Sequence, residues 1–121
     1  MQIPKKLLIH SAGLITKFDA DKWGNSSSKE IILLKFVRIE PCVKMIADSN
    51  GNTIRLSAVL FFDCKNSSPK EIKFALKSDI LDGRTVEIQQ VKFGEKIFTV
   101  QTIEPFYADE NKIHHYEVGL M

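Results

Sequence analysis

Apolar residues recur at every second position in several short runs of this chain, and no sustained helical period competes with them. The clearest run is residues 54–62. Ile54, Leu56, Ala58, Leu60 and Phe62 share one face of an extended strand, and Arg55, Ser57, Val59 and Phe61 share the other. The first face is apolar throughout and requires a core. The second starts polar and turns apolar at Val59 and Phe61, which predicts cover on both sides, from a partner or from elsewhere in the chain. Before this run stands Asp48-Ser49-Asn50-Gly51-Asn52. Asn50-Gly51 is a strong two-residue hairpin signal, because a type I′ turn needs positive φ at both central residues. Residues 43–62 are therefore predicted as a hairpin onto which the remaining strands wrap.

The other elements follow in chain order. Leu7–Ile9 opens a first strand, Gly13 bends it, and Leu14–Phe18 continues it. A polar loop with one tryptophan, Trp23, and a turn signal at Gly24-Asn25 covers about residues 19–30. Residues 31–40 form a strand that Pro41 ends, since proline cannot donate to a ladder. A second polar connection, 63–70, contains Lys65, Asn66 and Ser68-Pro69. Residues 70–81 suit either a strand (Ile72, Phe74, Leu76) or a short helix. Asp82-Gly83 is a turn, and residues 85–93 form a strand. Its apolar phase slips at Gln89-Gln90, the mark of a bulge. Gly94-Glu95 turns into residues 96–103, and residues 113–120 close the chain with His114, Tyr116, Val118 and Leu120 on one face. The expected fold is all-β: one domain over residues 1–121, a small closed or partly open antiparallel barrel of about six to seven strands with long loops. Closure is the economical way to avoid open edges.

Composition sharpens this in three respects. With 44% hydrophobic residues and eight phenylalanines, the chain can bury a real core. No apolar run approaches the roughly 20 residues that cross a bilayer as a helix, so no membrane partner is expected. Lysines 5 and 6 precede a short apolar run, but His10 and Ser11 interrupt it, so a strand is predicted rather than a secretion signal. The formal net charge is +2. Lys and Arg outnumber acids nine to five over residues 1–60, and acids outnumber bases ten to eight thereafter. That mild asymmetry lacks the basic stripe of a duplex reader. Cys42 and Cys64 are expected as free thiols.

Candidate chemistry is sparse. His114-His115 is the one pairing resembling a metal motif, but neighbours on a strand point to opposite faces, so no metal site and no cofactor is expected. No nucleophile elbow, catalytic-cysteine signature or glycine-rich phosphate cradle occurs, and an enzyme is not expected. Trp23 is either folded back over the barrel mouth or offered to a partner. Lys65, Lys70, Lys73 and Lys77 form a basic run diluted by Glu71 and Asp79. A solvated face is the first reading of that run, and a phosphate backbone the sharper one.

Several blocks, in order, carry a resemblance. Asp21-Lys22-Trp23-Gly24-Asn25, Val37-Arg38-Ile39-Glu40-Pro41, Leu60-Phe61-Phe62-Asp63-Cys64-Lys65-Asn66-Ser67-Ser68-Pro69 and His114-His115-Tyr116-Glu117-Val118 resemble the minor capsid proteins of tailed phages and prophages of Gram-positive bacteria. The likeness runs from Pro4 to the C-terminus, and in size and strand pattern it extends to head-closure proteins of long-tailed phages. It implies a small barrel with long loops that assembles as a homo-oligomeric ring below the portal, retains DNA and docks the tail. Implied partners are portal, adaptor and tail proteins, with non-specific contact to packaged double-stranded DNA. The implied location is the virion neck, after assembly in the host bacterial cytoplasm. The candidate interface residues are Trp23, Asn25, Phe61, Lys65, Asn66 and Lys70. The alternative reading is an OB-like barrel that binds single-stranded nucleic acid through Phe61, Phe62, Phe93, Phe98 and Tyr116. Those aromatics are flanked mostly by apolar residues, as core residues are.

Overall fold

The computed structural model describes residues 7–19, 28–47, 50–109 and 112–121. Its strands are β1 (His10–Phe18), β2 (Ser28–Ala47), β3 (Thr53–Asp63), β4 (Ile80–Leu81), β5 (Arg84–Phe93), β6 (Lys96–Asp109) and β7 (Lys112–Leu120). Every pairing is antiparallel. The sheet order is β1-β2-β3-β7-β6-β5-β4, and β1 also pairs with β5. Six strands therefore close on themselves, and β4 hangs on β5 outside the closure. The expected all-β barrel is what the chain forms.

Alternation places the core. Leu14, Leu34, Leu60, Val91, Val118 and Leu120 point inward from β1, β2, β3, β5 and β7 and are buried. On β3 the predicted face holds: Leu56, Ala58, Leu60 and Phe62 are buried, with Ile54 half-buried at the outer end. One end of the barrel is filled by residues 72–75, which form neither strand nor helix. Ala75 packs with Phe18 and Val86 of one wall, while the Phe74 ring meets Phe62 and Tyr116 of the other edge-on. A buried Gln89 fixes this plug. Its Oε1 accepts from the Ala75 amide at 2.9 Å, and its Nε2 donates to Lys73 O at 3.2 Å and Thr16 Oγ1 at 3.1 Å. A buried amide is tolerated where its donors and acceptors are met, as here.

β2 bends. Its first half, 28–37, pairs with β1 and its second half, 38–47, with β3. At the handover Phe36 has φ +56°. A compact turn at 63–68 holds the bend. Lys35 and Ser68 exchange both backbone hydrogen bonds at 3.0 Å, and Ser67 Oγ donates to the Phe36 carbonyl. Ser67 Oγ also accepts from the Asp63 amide at 2.9 Å, and the Ser67 amide donates to Asp63 O at 2.8 Å. Asp63 and Ser67 are both fully buried.

Several sequence expectations shift. Gly13 does not bend β1: it lies in continuous register between Leu33 and Lys92, and the irregularity falls between His10 and Ala12. Pro41 does not end β2, because it sits opposite Ala58 just before a register shift, where no donor is required. The predicted hairpin forms, but its last pair before the turn is Ala47 with Thr53 rather than the residues flanking Asn50-Gly51, with Gly51 at φ +82°. Positive φ at both central residues occurs instead at Asp82 (+51°) and Gly83 (+77°), between paired Leu81 and Arg84. The slip in β5 is real but lies at Glu87, between the partners of Lys17 and Phe18. Gln89 faces inward, which the period rule hides.

Gly119 on β7 is buried, and a Cβ there would overlap Thr102 Oγ1 and come within 2.8 Å of Leu56 Cδ1. At Gly13 the nearest atoms would be 3.9 and 4.0 Å away. Gly119→Ala is expected to destabilise by about 1–3 kcal/mol through overpacking, and Gly13→Ala to stay within about 0.5 kcal/mol or stabilise. Urea denaturation of both variants checks this; equal effects would contradict it.

Candidate functional site

The end of β3, the 63–70 turn and the β6–β7 hairpin enclose a cleft of about 540 Å³ lined by Asp63, Cys64, Lys65, Lys70, Lys112 and His114, among others. The turn is ordered from within. Asp63 Oδ1 accepts from the Lys65 and Asn66 amides, both at 2.9 Å, so a short side chain caps the reversal. This connection is held by its own hydrogen bonds. Lys70 Nζ donates to the Lys65 carbonyl, drawing both lysines to the lip of the cleft. Lys112 comes from the start of β7. Lys73 does not join them, since its ammonium lies 3.4 Å from Asp82 Oδ1. The expected basic run is thus split.

His114 and His115 correct the expectation that neighbouring imidazoles diverge. The β6–β7 register slips between Phe106 and Tyr107, whose partners are His115 and Ile113, so His114 is the extra residue. The two Nδ1 atoms are 2.8 Å apart. One ring must donate and the other accept, so the pair cannot carry a proton on both facing nitrogens. His115 Nε2 lies 3.1 Å from Glu117 Oε2, and Phe106 stacks on the His115 ring at 4.7 Å. His114 Nε2 is buried without a partner. Burial, together with the charge of His115, pushes the His114 imidazole below the usual histidine range; Asp63 opposes the shift. No group of three metal-ligating side chains converges among the described residues.

Cys64 is a free thiol pushed up by burial and by the Asp63 carboxylate, with Lys70 acting the other way. A thiol held protonated is a poor nucleophile. Cys42 is also free.

The candidate residues separate. Lys65 and Lys70 meet at the cleft, and Asn66 is half-buried in the turn beneath them. Phe61 is half-buried on the outer face of β3, in a separate hollow of about 320 Å³ with Leu7, Arg38, Glu40 and His115. Trp23 and Asn25 lie outside the described residues. Of the aromatics proposed for a single-strand platform, Phe62 is buried and Phe93, Phe98 and Tyr116 pack against the core. Sequence reasoning missed Lys112 and the exposed apolar residues on the outer parts of two hairpins. On β2, Val43 and Met45 are 71% and 60% exposed, and on β6 Phe106 and Tyr107 are 38% and 59% exposed. The signal was present, since apolar residues continued past the length a small barrel can bury. Among the described residues, no helix is long and apolar enough to cross a membrane.

The model of the minor capsid protein family matches residues 4–120. The chain belongs to that family and is a structural component of a phage virion. No curated protein matches it.

The His114 shift sets a pH dependence. Its folded value lies below its unfolded value, so the contribution is complete above about pH 6.5 and is lost as pH falls, because the unfolded chain takes up the proton first. Stability should fall as pH drops below about 6.5, and His114→Gln should flatten that slope. Thermal midpoints across this range are the measurement; an unchanged slope in the variant would contradict the assignment.

Proposed function

From its membership of a family of virion structural proteins, we propose that this chain is a head–tail connector component that forms a ring below the portal, helps retain packaged DNA and presents a docking surface for the tail. One observation carries the reading. The barrel is closed, yet two of its hairpins run on beyond the core and carry exposed apolar side chains on their outer parts, Val43 and Met45 on one and Phe106 and Tyr107 on the other. Around the barrel the strands pair with each other, so its contacts with neighbours fall to such extensions. Exposed apolar side chains of this size in a folded domain suit burial against other subunits. The three lysines of the cleft suit a phosphate backbone, which they would attract regardless of sequence and less strongly at high salt. Portal, adaptor and tail proteins of the same phage are the partners in this reading, and the virion neck is its place.

Reconstitution with the matching portal complex, viewed by electron microscopy, is the test. The expected result is a ring of barrels between portal and tail; a neck lacking this density would contradict the proposal. Val43→Asp with Met45→Asp alters exposed positions and should change stability by no more than about 0.5 kcal/mol per site. The same pair of changes should abolish seating on the portal. Seating unaffected by it would remove the hairpin from the contact.

A further inference from the structure

Two like-charge pairs of opposite sign stand on opposite walls of the barrel. On the β1–β2 seam, Lys17 lies directly across from Lys29. On the β6–β7 seam, Glu104 lies directly across from Glu117. Like charges in directly opposed positions destabilise a sheet. Among the described residues, neither lysine nor Glu104 has an ion-pair partner, and Glu117 has only the neighbouring His115. Around the closed sheet the strands run β1, β2, β3, β7, β6, β5, so the β1–β2 seam is diametrically across from the β7–β6 seam. Both pairs also lie toward the same end of the barrel. Lys17 precedes Phe18, which packs on Ala75 of the plug, and Glu117 follows Tyr116, whose ring meets Phe74 of the plug.

Apolar surface accompanies each pair. Beside the lysines, the outer face carries Ile31, Leu33 and, across β1 and β5, Ile97, exposed by 64%, 57% and 56%. Lys92 adds a third cation between Gly13 and Ile97. The nearest acid in register is Glu87, in the β5 bulge; Glu30 is turned to Arg84 at 2.6 Å. Beside the glutamates, the outer face carries Phe61 and Phe106, with Arg38 bound to Glu40 at 2.8 Å.

The geometry points to a second copy of this chain as the occupant of both faces. The Lys17/Lys29 face of one subunit sits on the Glu104/Glu117 face of the next. Two different complementary patches on opposite walls define a head-to-tail contact, which propagates and closes when the rotation between subunits permits. Each like-charge pair, unfavourable in the single chain, gains counter-charges in the contact. The surface assignment stands on these residues alone; only its closure into a neck ring rests on the function proposed above.

Charge exchange on the full chain tests it. The unaltered protein should self-associate at high concentration in low salt and dissociate as salt rises, by sedimentation equilibrium. Lys17→Glu with Lys29→Glu makes both faces acidic, and Glu104→Lys with Glu117→Lys makes both basic. Each double variant alone should associate more weakly by roughly tenfold or more. An equal mixture of the two should associate again, in alternating order, which also shows that both variants are folded. An unaltered chain that stays monomeric, double variants that associate normally, or a mixture that does not recover would each overturn the inference. The outcomes separate from those of portal reconstitution: a chain that seats on the portal but ignores charge exchange keeps its role and loses this interface, and the converse keeps the interface and loses the role.

Discussion

The barrel depends on how one strand is bent. β2 is 20 residues long and serves two neighbours in succession, β1 with its first half and β3 with its second. Without the bend at Lys35-Phe36, β3 and β7 would continue away from β1 as an open sheet, and β5 could not reach β1. What fixes the bend is polar and buried. Ser67 bridges the Phe36 carbonyl and the Asp63 amide, and Asp63 in turn caps the amides of Lys65 and Asn66. A carboxylate and a hydroxyl removed from water are costly unless their bonding capacity is met. Here the same bonds that satisfy them set the direction of β2. One short segment thus decides both closure and the shape of the cleft above it.

Closure then constrains association. An open sheet recruits partners along its edges, whereas this one closes on itself around the barrel and leaves unpaired edges in β4 and in the outer parts of β2, β3 and β6, where each pairs on one side only. In the proposed assembly, contacts with other virion proteins fall to what projects, namely the outer halves of the β2–β3 and β6–β7 hairpins and the side chains of the outer wall. Those are the places where large apolar residues remain exposed and where like charges face each other across strands. A structural protein can be specific in this way, because charge placement and shape select the neighbour.

Much of the fold was legible in the residues and some was not, for identifiable reasons. The 54–62 run revealed its buried face because its inward residues are all apolar, and period two then suffices. β5 misled because its central inward residue is Gln89, an amide recruited to hold the plug, and a rule based on polarity turns it outward. Asn50-Gly51 and Asp82-Gly83 carry similar turn chemistry, yet only the pairing partners decide that the two-residue turn belongs to the second. Residues 72–75 could not be assigned to strand or helix because they are neither; tertiary contacts alone order them. At the candidate site, Lys65 and Lys70 were legible as a cationic stretch, whereas their companion Lys112 comes from 42 positions beyond Lys70 and required the fold. The convergence of His114 and His115 was hidden by a bulge with no local signature.

Amide hydrogen exchange addresses the central claim most directly. If the 63–68 turn holds β2 in its bent course, the amides of Lys35, Asp63, Ser67 and Ser68 exchange only when the whole barrel opens, with protection matching that of Leu60 and Val118. Fast exchange at those four amides beside a protected core would show that the turn is an accessory loop and that something else closes the barrel.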